Sequence, residues 1–346
     1  MTLIINYSSP TDTHSQIEKM IKNNHYIIEN VNRAISYISY YGNNELFFRV
    51  IEWENEYLLN NNIDKKTYRN ILSINDNEPL ANAISSNNME LVKFLVKNGI
   101  DINNPNEQHL GSYVGLAVFD GHYDMLVYLV NNLQLNHRLD NDSAFICACR
   151  KGYLDCASFL FSKGVDIIAN NNEALLDACE ADHIQVVKFL IDNGAIAPST
   201  TKSIKKTGNY FSFEIKIHSK EELNLQNILN KVAYTGNIEI LQLFLEKGIN
   251  INLYSKCISW AISNDKKDMM YYLEKNGADI TQDEGFLIKH VQNAEDFDLL
   301  VYFVDKGLSK EYLKKYQTKD IERFLFAHKL DKNITKKQEN NKKSKI

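Results

Sequence analysis

One phrase returns along this chain at intervals near thirty residues, and nothing else in the sequence constrains the fold as tightly. It reads Leu91-Val-Lys-Phe-Leu-Val-Lys-Asn-Gly-Ile-Asp-Ile-Asn103, then Val187-Lys-Phe-Leu-Ile-Asp-Asn-Gly-Ala195, then Met270-Tyr-Tyr-Leu-Glu-Lys-Asn-Gly-Ala-Asp-Ile280. A fixed period of roughly twenty to fifty residues marks stacked supersecondary repeats rather than one globular core. Each repeat packs only on its neighbours, so a 346-residue chain escapes the size limit that would otherwise divide it into two globular domains.

Glycines set the register. Gly99, Gly164, Gly194, Gly248, Gly277 and Gly307 each follow an apolar run, with successive gaps of 65, 30, 54, 29 and 30. The gap of 65 divides into two repeats if Leu133 stands in the place of a missing glycine, since 133 − 99 = 34 and 164 − 133 = 31. The gap of 54 is one repeat plus an insertion. A glycine after a helix supplies a left-handed C-cap at no steric cost.

A second signature lies upstream of each glycine: an alanine, a small or turn residue four positions on, and an acidic residue three later. Ala117…Gly121…Asp124 and Ala148…Gly152…Asp155 show it fully. Ala83…Asn87…Glu90, Ala178…Asp182…Gln185 and Ala261…Asp265…Asp268 are weaker copies, and Val232…Gly236…Glu239 and Val291…Glu295…Asp298 replace the alanine. The pattern predicts helix–turn–helix. Small side chains let the first helix pack closely, the turn residue ends it, and the acid sits in the first turn of the second helix, where the helix dipole favours negative charge.

These residues resemble the ankyrin repeat, best at Gly121-His122, Asn276-Gly-Ala-Asp279 and Gly99-Ile-Asp-Ile-Asn103. The family's Thr-Pro-Leu-His opening is missing: one repeat opens with Ser143-Ala-Phe-Ile and the next with Glu173-Ala-Leu-Leu. The resemblance implies an all-α solenoid of helix–turn–helix repeats joined by β-hairpin fingers. About seven repeats are expected over residues 77–308, after an N-terminal capping region (1–76) holding a degenerate first repeat from Ile28 to about Asn60. A C-terminal helical cap (309–331) and a disordered basic tail (332–346) follow.

The insertion, residues 198–222, contains Tyr210-Phe-Ser-Phe-Glu-Ile-Lys-Ile-His218. Phe211, Phe213, Ile215 and Ile217 alternate with polar residues, which is the period of a strand. With Gly208-Asn209 as a turn, it reads as an elongated β-hairpin growing from one finger. It is either a tolerated surface insertion or a binding arm offering an edge strand.

Net charge is −5, from 39 basic and 44 acidic residues, which argues against nucleic-acid binding over the whole surface. Five irregularly spaced cysteines point to a reducing compartment. The start, Met1-Thr-Leu-Ile-Ile-Asn-Tyr, lacks a basic region before its apolar run, so no classical secretory signal is expected. No apolar stretch is long enough to cross a bilayer. The expected protein is an intracellular monomer, cytoplasmic, and in a host cytoplasm if viral. Its Asn, Ile, Lys and Tyr usage suits an AT-rich genome, and together with degraded repeats it resembles the ankyrin proteins of giant DNA viruses of amoebae. Amoebal and intracellular-bacterial ankyrin proteins share that usage.

No phosphate loop, nucleophile elbow or kinase signature is present. Cys147, Cys149, Cys156 and His183 do not make a zinc pattern, because Cys149 and Cys179 fall on the family's second alanine and serve as small core residues. His122 and His183 occupy the family's Gly-His position, where the imidazole braces the turn. Neither catalysis, a cofactor nor a metal is expected.

The family binds partners along its inner helices and finger tips. The freest positions are the two before each turn: Ser85-Ser86, Phe119-Asp120, Arg150-Lys151, Glu180-Ala181, Tyr234-Thr235 and Ser263-Asn264. Aromatic residues and arginine anchor interfaces. Phe119, Arg150, Lys151 and Tyr234, with Tyr210 and Phe211 on the hairpin, are therefore the expected contacts to a protein partner, with no nucleic acid and no membrane. A substrate-recruiting adaptor for a ubiquitin ligase is the second reading. It calls for a Leu-Pro-containing terminal module, and Asp320-Ile-Glu-Arg-Phe-Leu-Phe326 has no proline.

Overall fold

The computed structural model describes residues 9–24, 28–61, 74–102, 112–196, 220–249, 256–280, 287, 289–290 and 296–308. They fall into two compact halves, Met1–Ala174 and Leu175–Ile346. The first half holds α1 (Pro10–Lys22), α2 (Ile28–Tyr41), α3 (Asn44–Asn60), α4 (Ile74–Ser85), α5 (Met89–Lys97), α6 (Tyr113–Phe119), α7 (Tyr123–Asn131), α8 (Leu139–Lys151) and α9 (Leu154–Ser162). α10 (Ala169–Glu180) contains the boundary. The second half continues with α11 (Ile184–Asp192), α12 (Lys220–Thr235), α13 (Ile238–Glu246), α14 (Cys257–Ser263), α15 (Lys267–Lys275) and α16 (Phe297–Asp305). The fold is an all-α ankyrin solenoid, with no strand among the described residues. The insertion's alternating segment, the C-terminal cap and the basic tail lie outside the described residues. α12 already begins at Lys220, inside the span read as insertion.

The second helix of each repeat is short and amphipathic for a local reason. Its apolar residues recur at i, i+1 and i+4, which places them on one helical stripe. That stripe is buried as Leu91, Val92 and Leu95; Met125, Leu126 and Leu129; Val186, Val187 and Leu190; and Met269, Met270 and Leu273. The preceding inner helices each bury an alanine followed by a second small or aliphatic residue: Ala117-Val118, Ala148-Cys149, Ala178-Cys179 and Ala261-Ile262. These permit close stacking of α2 on α4, α4 on α6 and α6 on α8 in the first half, and of α12 on α14 in the second.

Every described turn between paired helices is left-handed. Gly42, Asn87, Gly121, Gly152, Asp182, Gly236 and Asp265 have φ between 54° and 84°. Asn and Asp replace glycine here because their short polar side chains tolerate this backbone best among non-glycine residues. The next residue starts the second helix. Where it is Asn43, Asn88 or Asn237, its side chain accepts the N–H three residues on as an N-cap, as the Asp296 side chain does at the start of α16.

At the end of each repeat, Gly99, Gly164, Gly194, Gly248, Gly277 and Gly307 are left-handed as expected. Leu133 does not stand in the missing glycine's place. Gln134 carries the positive φ, 54°, and Leu135 is buried where Ile100 and Val165 are buried after their glycines. The turn is one residue longer, and the arithmetic becomes 134 − 99 = 35 and 164 − 134 = 30.

The fingers contain a further device. Residues 140–142 and 170–172 are each left-handed three times in succession, so the right-handed helices proper start at 143 and 173. Asp140-Asn-Asp142 and Asn170-Asn-Asn172 are the side chains that make such a run tolerable. The third residue of each run, Asp142 or Asn172, is buried, and so is the left-handed Asn77. Asn77 Nδ2 donates to the Asp101 carbonyl at 2.8 Å, and Asp142 Oδ2 accepts the Asp166 N–H at 2.9 Å. Both links span the same 24 residues (101 − 77 and 166 − 142) and tie one finger to the next. The opening motif is also not wholly lost: Pro79-Leu80 follows the left-handed Asn77, in the first turn where a proline's missing N–H costs nothing.

Candidate protein-binding surface

Several inner helices end on exposed aromatic residues, in the two positions before the left-handed turn. In the first half, Phe119 at the end of α6 is 41% exposed. Lys151 at the end of α8 holds its Nζ 4.0 Å from the centre of the Phe119 ring. Arg150 is exposed beside it, its Nη2 3.3 Å from Glu173 Oε1. The structure therefore brings Phe119, Arg150 and Lys151 together on neighbouring inner helices. An ion pair this exposed contributes at most about 1 kcal/mol.

In the second half, Tyr234 at the end of α12 is 36% exposed. Its ring meets Trp260 of α14 edge to face, centres 6.1 Å apart. Lys231 Nζ lies 5.4 Å from the Tyr234 ring and 2.6 Å from Glu180 Oε1. Asn264 Nδ2 donates to the Tyr234 carbonyl at 2.8 Å, which fixes α14 against α12 at that point. Tyr210 and Phe211 lie outside the described residues.

Sequence reasoning passed over five exposed aromatics, of which Tyr123 and Tyr271 lie on outer helices and three on inner helices. Tyr40 and Tyr41 are 57% and 50% exposed and stand two and one residues before the turn residue Gly42, in the same register as Phe119-Asp120. The signal lies in the sequence, at Gly42 within the degenerate first repeat. Trp260, 43% exposed, lies five residues before its turn residue Asp265, outside the two positions considered. Only the stacking of α14 on α12 shows that it shares a surface with Tyr234.

The residues with chemical potential serve the scaffold. His122 Nε2–H donates to the Ser85 carbonyl at 2.8 Å and braces one turn on the previous one. Cys149, Cys156, Cys179 and Cys257 are buried. Burial pushes the Cys156 thiol up to about 11 and the Cys257 thiol up to about 12, which keeps both protonated and unreactive. Among the described residues, no group of three or more His, Cys, Asp and Glu side chains is placed to hold a metal ion. Nor is any helix among them long and apolar enough to cross a membrane.

Comparison with known proteins agrees with this architecture. Residues 114–201 match the family model described as Ankyrin repeats (3 copies), and residues 75–104 match that of the single Ankyrin repeat. The chain carries ankyrin repeats. It is similar to ankyrin repeat protein R837 of Acanthamoeba polyphaga mimivirus, 23% identical over 268 residues, covering 75% of this chain and 32% of that protein. A second mimivirus ankyrin repeat protein, R599, is 24% identical over 241 residues, covering 68% of this chain and 61% of that protein. The chain thus spans about a third of the first of these relatives and less than two thirds of the second. The crystal structure of the human ASB11 ankyrin repeat domain superposes with a TM-score of 0.50 at 17% identity, covering 71% of this chain and 98% of that one. Ankyrin repeats are generally protein–protein interaction scaffolds, and proteins built from them are typically non-enzymatic.

Proposed function

We propose that this protein is a non-catalytic scaffold that binds a protein partner, of the host cell in the viral setting its relatives suggest, through the ends of its inner helices. The observation that carries the reading is the cluster of Phe119, Lys151 and Arg150: an exposed ring, an ammonium 4.0 Å above it and an exposed guanidinium paired with Glu173. An aromatic anchor beside arginine is the composition that dominates interface energetics. Tyr234 would extend the contacts in the second half, and Tyr210 and Phe211 would do so if the insertion forms the arm its alternation predicts. The protein would act as an intracellular monomer, with neither nucleic acid nor membrane as its target. No observation favours the ubiquitin-ligase adaptor over this reading.

Affinity capture from host-cell lysate with cross-linking tests it. Phe119→Ala with Arg150→Ala should leave helicity unchanged and reduce capture of the main partner about tenfold or more, the loss of one good anchor. Undiminished capture by the double variant would remove this patch from the interface. A parallel chain lacking residues 200–220 separates the insertion from the helices.

A further inference from the structure

The aromatic pair on the inner helices of the second half is flanked by lysines although the chain as a whole is acidic, and that contrast names a class of partner. This inference rests on the protein-binding reading above. The chain carries −5 overall, yet lysines surround the Tyr234–Trp260 pair. Lys231 approaches the Tyr234 ring. Lys256 is exposed and lies four residues before Trp260, one helical turn away on the same side of α14. Lys266 lies along the Gly236 turn that follows Tyr234, so closely that a Cβ on Gly236 would stand 2.7 Å from its Cδ. Glu180 engages Lys231, and Asp265 adjoins Lys266 in the chain. Among the described residues, Lys256 and Lys266 form no ion pair, whereas Lys267, next along the chain, pairs with Asp296.

The two tryptophans of the chain show what is unusual here. Trp53 is buried, and its Nε1–H donates to Asn24 Oδ1 at 3.0 Å. Trp260 is 43% exposed on a helix whose other large apolar side chains, Ile258 and Ile262, are buried. A tryptophan edge-to-face with a tyrosine offers a large, rigid apolar area at low entropic cost. Flanking ammonium groups then select the sign of what approaches it.

We propose that the patch formed by Tyr234, Trp260, Lys231, Lys256 and Lys266 receives an acidic segment of a protein partner. An apolar side chain of that segment would lie against the two rings, with carboxylates beside Lys256 and Lys266. A single-stranded nucleic acid could also stack on the rings. It fits less well, because the half-exposed Glu180 carboxylate stands in the same row and the patch has no arginine.

The test uses the full chain and fluorescein-labelled peptides of repeated Glu-Glu-Leu-Phe, with Gln-for-Glu and Lys-for-Glu versions and an oligothymidylate as comparators. The acidic peptide should bind at least about tenfold tighter than either comparator peptide, with an advantage that shrinks as salt rises toward about 0.15 M. Trp260→Ala should weaken the acidic peptide about tenfold, and Lys256→Glu with Lys266→Glu should invert the charge preference. Trp260 and Lys256 are exposed and Lys266 is half-buried along the Gly236 turn, so an unchanged melting temperature would show that the loss is local. Equal binding of the Gln peptide, or tighter binding of the oligothymidylate, would overturn the assignment, and so would no binding by any probe. If the Gln or Lys peptide binds best and still requires Trp260, the acidic class fails while the protein-binding reading stands.

Discussion

Gly121 and Gly164 have almost the same backbone, with φ of 75° and 86°, but opposite surroundings. A Cβ on Gly121 would meet the Tyr153 ring of the following repeat at 2.9 Å, whereas nothing lies within 4 Å of one on Gly164. Turns between paired helices are thus where successive repeats touch. His122 reaches back to Ser85, and Lys266 lies on Gly236. Turns at the ends of repeats are open, and their glycines answer only to the local backbone. A side chain at the first class of glycine meets the next repeat, and one at the second does not.

The sharpest way to break this comparison is at Gly121. Gly121→Ala combines roughly 1–2 kcal/mol of left-handed strain with displacement of the Tyr153 ring, for a total near 3 kcal/mol by urea denaturation. In a double-mutant cycle, Tyr153→Ala should recover the steric share and leave the strain. Simple additivity would mean the ring swings aside freely and the turn is not a coupling point.

Next comes the finger link. Asp142→Ala strips two hydrogen bonds from Arg138 and leaves the Asp166 N–H without its acceptor, for a loss of about 2–3 kcal/mol. The link also has a pH signature. Burial pushes the Asp142 carboxyl up, but the Arg138 hydrogen bonds and the Asp166 N–H outweigh it and hold it below the ordinary carboxylate value. A depressed value means stability that is present above the unfolded carboxylate range and lost as pH falls through Asp142's own titration. Asp142→Asn should flatten the acid limb of the stability profile. An unchanged limb would place acid sensitivity elsewhere.

Gly164→Ala should cost only the strain, about 1–2 kcal/mol, and couple to no neighbouring substitution. The smallest effect is a gain. Gln134 holds a left-handed position that glycines hold in other repeats, so Gln134→Gly should stabilise by about 0.5–1 kcal/mol. A loss there would show that the Gln134 side chain has a packing role.

Much of the fold is legible without coordinates because its determinants are local. The left-handed residues follow each alanine at a constant interval, and the buried stripe of each outer helix reads directly as Leu91-Val92 with Leu95 or Met269-Met270 with Leu273. Leu133 misled because glycine spacing was treated as the rule. What recurs in most repeats is a left-handed backbone followed by a buried apolar residue, and Gln134-Leu135 satisfies both without a glycine. The runs Asp140-Asn-Asp142 and Asn170-Asn-Asn172 were visible as Asn-rich usage, but composition alone does not distinguish genome bias from a backbone demand. The candidate surface was half legible. Phe119, Arg150 and Tyr234 follow from the turn register, and Tyr40-Tyr41 would have followed from the same rule applied at Gly42.

The sequence by itself determined the repeat, its period, the handedness of its turns and the face each helix buries. Those depend on side chains within one or two helical turns of each other. Only the tertiary structure decided which residues become neighbours about thirty positions apart: Lys151 over Phe119, Trp260 against Tyr234, and Tyr153 on Gly121 but nothing on Gly164. The physical reason is that stacking selects contacts by rotamer and by the length of each connection. Neither is encoded in the local pattern that makes the helices.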